Sequence, residues 1–213
     1  AFVSRYTRPL LRAALLAAAS VQAQDAPSRH LAPGFTHRAA ESRIVLLPAD
    51  MELFSISAGG VAEPRADWTE AAQQNFRHAL ASQRQRLGEQ VGELTPAQLE
   101  QFGQLLALQR AVADAIWLHH NGSLKLPTKD GRLDWSLGGA VRPLKEATGA
   151  DYALFTWMRD SYASGERKAT MVAMALLGAL TLGGQQVGYA TLVDLNTGRV
   201  VWHHELDRMA GDL

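Results

Sequence analysis

Apolar and polar positions fall along the chain in three kinds of block. The first kind is alternation. From Gln185 to Glu205, Val187, Tyr189, Thr191 and Val193 take every second place on one arm and Val200 and Trp202 on the other, with Asn196-Thr197-Gly198 between. A period of two marks a strand with one buried face, so this stretch predicts an antiparallel hairpin. Gly198 supplies the positive φ that a three-residue loop with a bulge requires, and Asn196 is expected to bond its own backbone two residues on.

The second kind is an unbroken apolar run. Ile44-Val45-Leu46-Leu47, preceded by Arg43 and ended by Pro48, predicts a strand buried on both faces, as strands of parallel sheets are. Asp50 to Ser57 is expected to continue it less regularly until Gly59-Gly60. Gly149 then releases Ala150 to Met158 as a second apolar strand, with Arg159 to Tyr162 continuing toward solvent.

The third kind has helical spacing. Asp67-Trp68-Thr69-Glu70 reads as a capping box, after which Trp68, Ala72, Phe76, Ala79, Leu80 and Leu87 fall on one stripe. Thr95-Pro96-Ala97-Gln98 opens a second helix, with proline at the first position, where its missing N–H costs nothing. Leu99, Phe102, Leu105, Leu106, Val112 and Ile116 make its stripe, and Asn121-Gly122 ends it. Residues 123–139 read as a loop, followed by a short helix from Arg142 to Thr148 with Pro143 in its first turn.

This order predicts an α/β fold with a mixed sheet. Ile44–Leu47 and Tyr152–Trp157 lie parallel at its centre, right-handed crossover places the two long helices on one face, and the C-terminal hairpin adds antiparallel strands. Phe155 and Trp157 are expected in or near the core, and Trp202 is expected to pack across the hairpin. One domain accounts for residues 43–213, with a helix missing after the hairpin as the expected cover of its apolar face.

Residues 1–23 precede that domain and differ in kind. They hold Arg5, Arg8 and Arg12 with no acid, then Ala13 to Ala19, then Val21-Gln22-Ala23, which fits the small-x-small pattern of a signal-peptidase site. This reads as a signal peptide cleaved near Ala23, so the mature protein is expected in the periplasm or secreted. Residues 24–42 carry two prolines, Gly34, His30 and His37 without periodicity and read as a flexible tail in which both histidines are solvated. Without the leader's three arginines the remaining 18 basic side chains face 21 acids, which gives no electrostatic ground for a nucleic-acid partner.

There are no cysteines, which removes disulfides, thiol nucleophiles, cysteine-ligated metal and a lipidated cysteine anchor together. Ala169–Leu182 is strongly apolar but about 14 residues long, short of the roughly 20 that cross a bilayer as a helix. It reads either as buried filler or as a segment that touches a partner or a membrane surface. Two pairs, His119-His120 and His203-His204, are the metal bait. Neighbouring residues point about 100° apart on a helix and to opposite faces on a strand, so neither pair chelates one ion by itself. No Gly-x-Ser-x-Gly, Gly-x-Gly-x-x-Gly or Walker loop occurs. Asp151 and Asp160 are carboxylates on the second strand, and Asp160 is expected to make a surface pair with Arg159. On these grounds the sequence assigns no catalytic, cofactor-binding or metal residue.

Gly149-Ala-Asp-Tyr-Ala-Leu-Phe155 followed by Leu192-Val-Asp-Leu-Asn-Thr-Gly-Arg-Val-Val-Trp202 carries a resemblance. The chain resembles a family of uncharacterised exported proteobacterial proteins, itself similar to the periplasmic domain of the curli secretion lipoprotein and to lipoprotein activators of peptidoglycan synthases. The likeness covers residues 43–47 and 149–206. It implies a domain without catalytic residues that acts in assembly, scaffolding or partner regulation at the envelope. The expected function is therefore a non-catalytic exported binding module of the cell envelope, engaging a protein partner by edge-strand addition or through Ala169–Leu182. The alternative is a small hydrolase or metal-dependent periplasmic enzyme using His119 or His204.

Overall fold

The computed structural model describes residues 28–56, 62–82, 90–160 and 186–208. The leader and Ala169–Leu182 lie outside the described residues. The strands are β1 (Ile44–Leu46), β2 (Asp50–Ile56), β3 (Ala62–Pro64), β4 (Val91–Glu93), β5 (Tyr152–Asp160), β6 (Gln186–Asp194) and β7 (Val200–Arg208). The helices are α1 (Ala66–Ser82), α2 (Pro96–Leu99), α3 (Gly103–Ile116) and α4 (Arg142–Thr148).

All seven strands form one mixed sheet with β5 at its centre. Along one edge of β5 lie β1 and then β2, both parallel to it; along the other lies β6, antiparallel, with β7 outside. β4 flanks β1 in parallel and β3 flanks β2 antiparallel. The mixed sheet, its parallel centre and the C-terminal hairpin are those that the apolar pattern predicts. β1 is buried on both faces, as an unbroken Ile-Val-Leu run demands.

Between β1 and β2 the register slips by one residue. Leu46 pairs with Leu154, whereas Asp50 pairs with Trp157, so four steps on one side face three on the other. Proline at 48 has no N–H to give to the ladder, and the chain bulges there. The slip inverts the alternation: Val45 and Leu47 join one core with Phe155 and Val193, while Leu46, Met51 and Leu53 join the other with Met158 and Ala190.

Those two cores also place the helices. Leu105 and Ile116 of α3 and Leu144 of α4 pack on the first face, and Ala72, Phe76 and Leu80 of α1 on the second. The long helices thus lie on opposite faces, a correction to the single face expected from sequence. The chain leaves β2 outward through β3 and α1 to reach β4, then crosses back through α3 to β5. Right-handed crossovers taken in opposite directions cover opposite faces.

Local chemistry fixes the element ends. Thr95 and Gln98 form a capping box at α2, with the Gln98 N–H donating to Thr95 Oγ1 at 3.2 Å and the Thr95 N–H to Gln98 Oε1 at 2.9 Å. Asp67 is not the cap of α1; its carboxylate takes Arg65 at 2.7 Å. In the hairpin the local bond belongs to Asp194, whose Oδ1 accepts from the Asn196 N–H at 2.8 Å and whose Oδ2 accepts from Thr197 Oγ1 at 2.9 Å. Asn196 turns its side chain to Lys145 instead. Gly198 has φ 75°, as the turn requires.

Candidate functional site

The bulge at Pro48 opens a cleft of ≈ 600 Å³ at the sheet edge, in the gap between β4 and β3 and between the two helix layers. Leu47, Pro48, Phe76, Leu99, Leu106 and Phe155 give it apolar walls, and Asp50, Arg77, Glu93 and Arg110 line it with both signs of charge. Its size is that of a small-ligand site. One wall is a stack in which the Arg110 guanidinium lies 3.6 Å from the Trp157 ring centroid and Trp157 lies 5.5 Å from Tyr189. Arg110 is also held by Asp114 at 3.1 Å.

Two hydroxyls of the cleft are already engaged. Tyr189 donates to Gln109 Oε1 at 3.3 Å, and burial pushes its phenol up to about 12, so it stays protonated at neutral pH. Thr95 is used by its cap. Thr156 Oγ1 and Trp157 Nε1 are buried with no partner among the described residues.

A polar network runs from the cleft wall under α3. Gln109 Nε2 donates to Thr191 Oγ1 at 3.5 Å, Thr191 Oγ1 meets His203 Nδ1 at 2.9 Å, and His203 Nε2 meets Glu205 Oε1 at 3.3 Å. Thr191 and His203 face each other across the β6–β7 pair, which sets their separation. A hydroxyl, an imidazole and a carboxylate in line have the connectivity of a nucleophilic relay. Thr191 is 1% exposed and His203 2%, so no substrate reaches the hydroxyl. The network orders the core beneath α3.

At the outer edge of β7 a short segment of the N-terminal region lies antiparallel to the strand. The Ala32 N–H donates to the Val201 carbonyl at 3.0 Å, and the His203 N–H donates to the His30 carbonyl at 3.0 Å. His30 Nδ1 donates to the His203 carbonyl at 3.1 Å, and its ring lies 4.8 Å from that of His204. Arg29 is held by Asn121 at 2.7 Å, and its carbonyl accepts from His120 Nε2 at 2.8 Å. Val201 and His203 direct backbone groups outward, so Glu205 and Asp207 do too, and among the described residues no strand pairs with them.

The histidines are where the structure departs most from the sequence reading. His120 and His203 are buried and His204 is half-buried, so the two pairs are not solvated strand and helix-end residues. Burial holds the imidazoles of His120 and His204 below their usual range, with neighbouring positive or imidazole groups adding to it. His37 is exposed, as read, and so is His78. His119 is half-buried, with Nδ1 donating to the Leu124 carbonyl at 2.6 Å. Among the described residues no three His, Asp or Glu side chains gather at metal-ligating reach. Asp160 is buried, and Arg159 pairs instead with Asp50 at 2.8 Å and Glu52 at 3.3 Å, since parallel pairing with β2 brings those acids beside it. The Asp151 carboxylate accepts from the Arg43 N–H at 3.0 Å and joins the start of β1 to that of β5. No described helix is long and apolar enough to cross a membrane.

No protein-family profile matches the chain, and no curated protein does. Solved structures do. The lipoprotein GNA1162 of Neisseria meningitidis is similar at 12% identity, with a TM-score of 0.32 over 80% of this chain and 81% of that one. The LpoB C-terminal domain of Salmonella enterica is similar at 15% identity, with a TM-score of 0.33 over 84% and 88%. A PelC dodecamer of Paraburkholderia phytofirmans is similar at 10% identity, with a TM-score of 0.31 over 83% and 81%. A lipoprotein stands among these neighbours, as the resemblance implied.

Proposed function

We propose that the protein is a non-catalytic binding or assembly module, exported to the bacterial cell envelope, that takes up a protein partner by strand addition. The observation that carries the reading is the outer edge of β7, where the backbone groups of Glu205 and Asp207 meet no strand among the described residues. Such an edge is a template for an extended segment, and main-chain hydrogen bonds supply the affinity of that mode. The leader at residues 1–23 supports export, and the Thr95 and Tyr189 hydroxyls of the cleft, one held in a helix cap and the other bonded to the Gln109 amide, support a binding role there.

Asp207→Pro tests the reading, because proline at an outward-facing edge position removes the donor a partner strand needs without touching the β6 ladder. The native chain, used as bait in a periplasmic extract, is expected to retain a partner that the variant loses. Equal retention by both, or none by either, sinks strand addition at this edge. Export is tested by mass spectrometry of protein recovered from the periplasmic fraction, where a mature N-terminus at Gln24 is expected.

A further inference from the structure

Four histidines surround the segment that lies on β7: His30 within it, His203 and His204 on the strand, and His120 at the end of the helical stretch after α3. We propose that residues 29–32 are an acid-released strap, seated on the outer edge of β7 at neutral pH and expelled when His120 and His204 take up protons.

The bonds that seat the strap fix the proton positions. A carbonyl only accepts, so His120 carries its proton on Nε2, facing Arg29. Its Nδ1 is buried with no partner, and a second proton there would create a buried N–H without an acceptor. The charged groups around it are Arg29 and Lys125, with His203 beyond, and none is a carboxylate. A proton on His204 would place a cation against His30, whose ring is 4.8 Å away, with Trp202 stacked on its other neighbour side at 6.1 Å. Among the described residues the carboxylate near it is Glu205, already engaged by His203 Nε2.

The Arg29 carbonyl favours the charged form of His120, but burial outweighs it, so both imidazoles are easier to charge once the strap lifts and water reaches them. The sign follows. With both groups held below 6.5 in the seated state, that state binds fewer protons than the open one as pH falls below 6.5, so acid favours opening. Above 6.5 the pair is neutral in both states and has no effect. The strap is held by two backbone bonds, the His30 bond, the Arg29–Asn121 bond and the bond from His120 to the Arg29 carbonyl, and none of these belongs to the ladder of the sheet. It can leave without opening the core. Release also bares the Val201 carbonyl and the His203 N–H, lengthening the edge on which the proposed function rests, but the release itself does not depend on that reading.

The test is amide hydrogen exchange by NMR on the native chain between pH 7.5 and pH 5.0, corrected for intrinsic rates. Protection at Ala32 and His203 is expected to fall about tenfold or more, while Phe155 and Val193 stay protected. In the double variant His120→Gln and His204→Phe, which keeps the bond to Arg29 and the ring against His30, the fall is expected to shrink to about threefold or less. Constant protection in the native chain overturns the strap, as does an equal fall in the double variant or simultaneous loss at the core amides. If the double variant does not fold, the single variants decide, and a fall in both equal to that of the native chain overturns it too.

Discussion

A methyl group at residue 198 would land 2.2 Å from the carbonyl oxygen of Gly138, in a backbone already at φ 75°. Gly198→Ala is therefore expected to cost about 2 kcal/mol or more, combining left-handed strain with a backbone clash, as a denaturant titration would read it. The turn itself was legible, because Asn-Thr-Gly between two alternating arms leaves few other choices. Its side-chain bonds were not. Asp194 and Asn196 are both suited to local bonding, and only the position of Lys145 on α4 decides which one turns back. Gln109 was equally hidden, since a glutamine in a helix reads as surface unless its partners across the sheet are known. It is 5% exposed and serves both Tyr189 and Thr191, so Gln109→Leu is expected to lose about 1–3 kcal/mol by orphaning the Tyr189 hydroxyl.

At the scale of elements, apolar runs and caps located every long strand and helix, because burial on both faces and the capping box are local signals. The distribution of helices over the faces was not local. It follows from β4 lying outside β1, which sends successive crossovers in opposite directions, and three residues of Val-Gly-Glu give no notice of that pairing. The histidines failed for a related reason. Alternation puts His203 and His204 on opposite faces, but the sequence does not reveal that one face lies under α3 and the other under the strap. Trp157, expected in or near the core, forms the wall between Arg110 and Tyr189 and is partly covered. Trp157→Ala is still expected to cost about 3 kcal/mol, the low end for a large aromatic, since the cation and the ring on either side lose their contact. A loss under about 1 kcal/mol would contradict that packing.

For the molecule as a whole, the same two imidazoles tie stability to acidity. His120 and His204 are held below 6.5 by burial, so the folded chain resists their protonation while the unfolded chain does not. Their contribution is intact above pH 6.5 and declines below it, and the urea midpoint is expected to be lower at pH 5.0 than at pH 7.5. In the variant His120→Gln and His204→Phe that difference should narrow.

The slip at Pro48 has a further consequence. Residues on either side of it obey opposite parity, odd numbers facing α3 before the slip and α1 after it. A lost codon there would look harmless, a shortened connector between two strands. It would leave three steps facing three, keeping Met51 and Leu53 in phase with Met158 and flattening only the bulge beside the cleft; the loss of a second residue, two steps facing three, is what would turn the downstream half of the layer inside out.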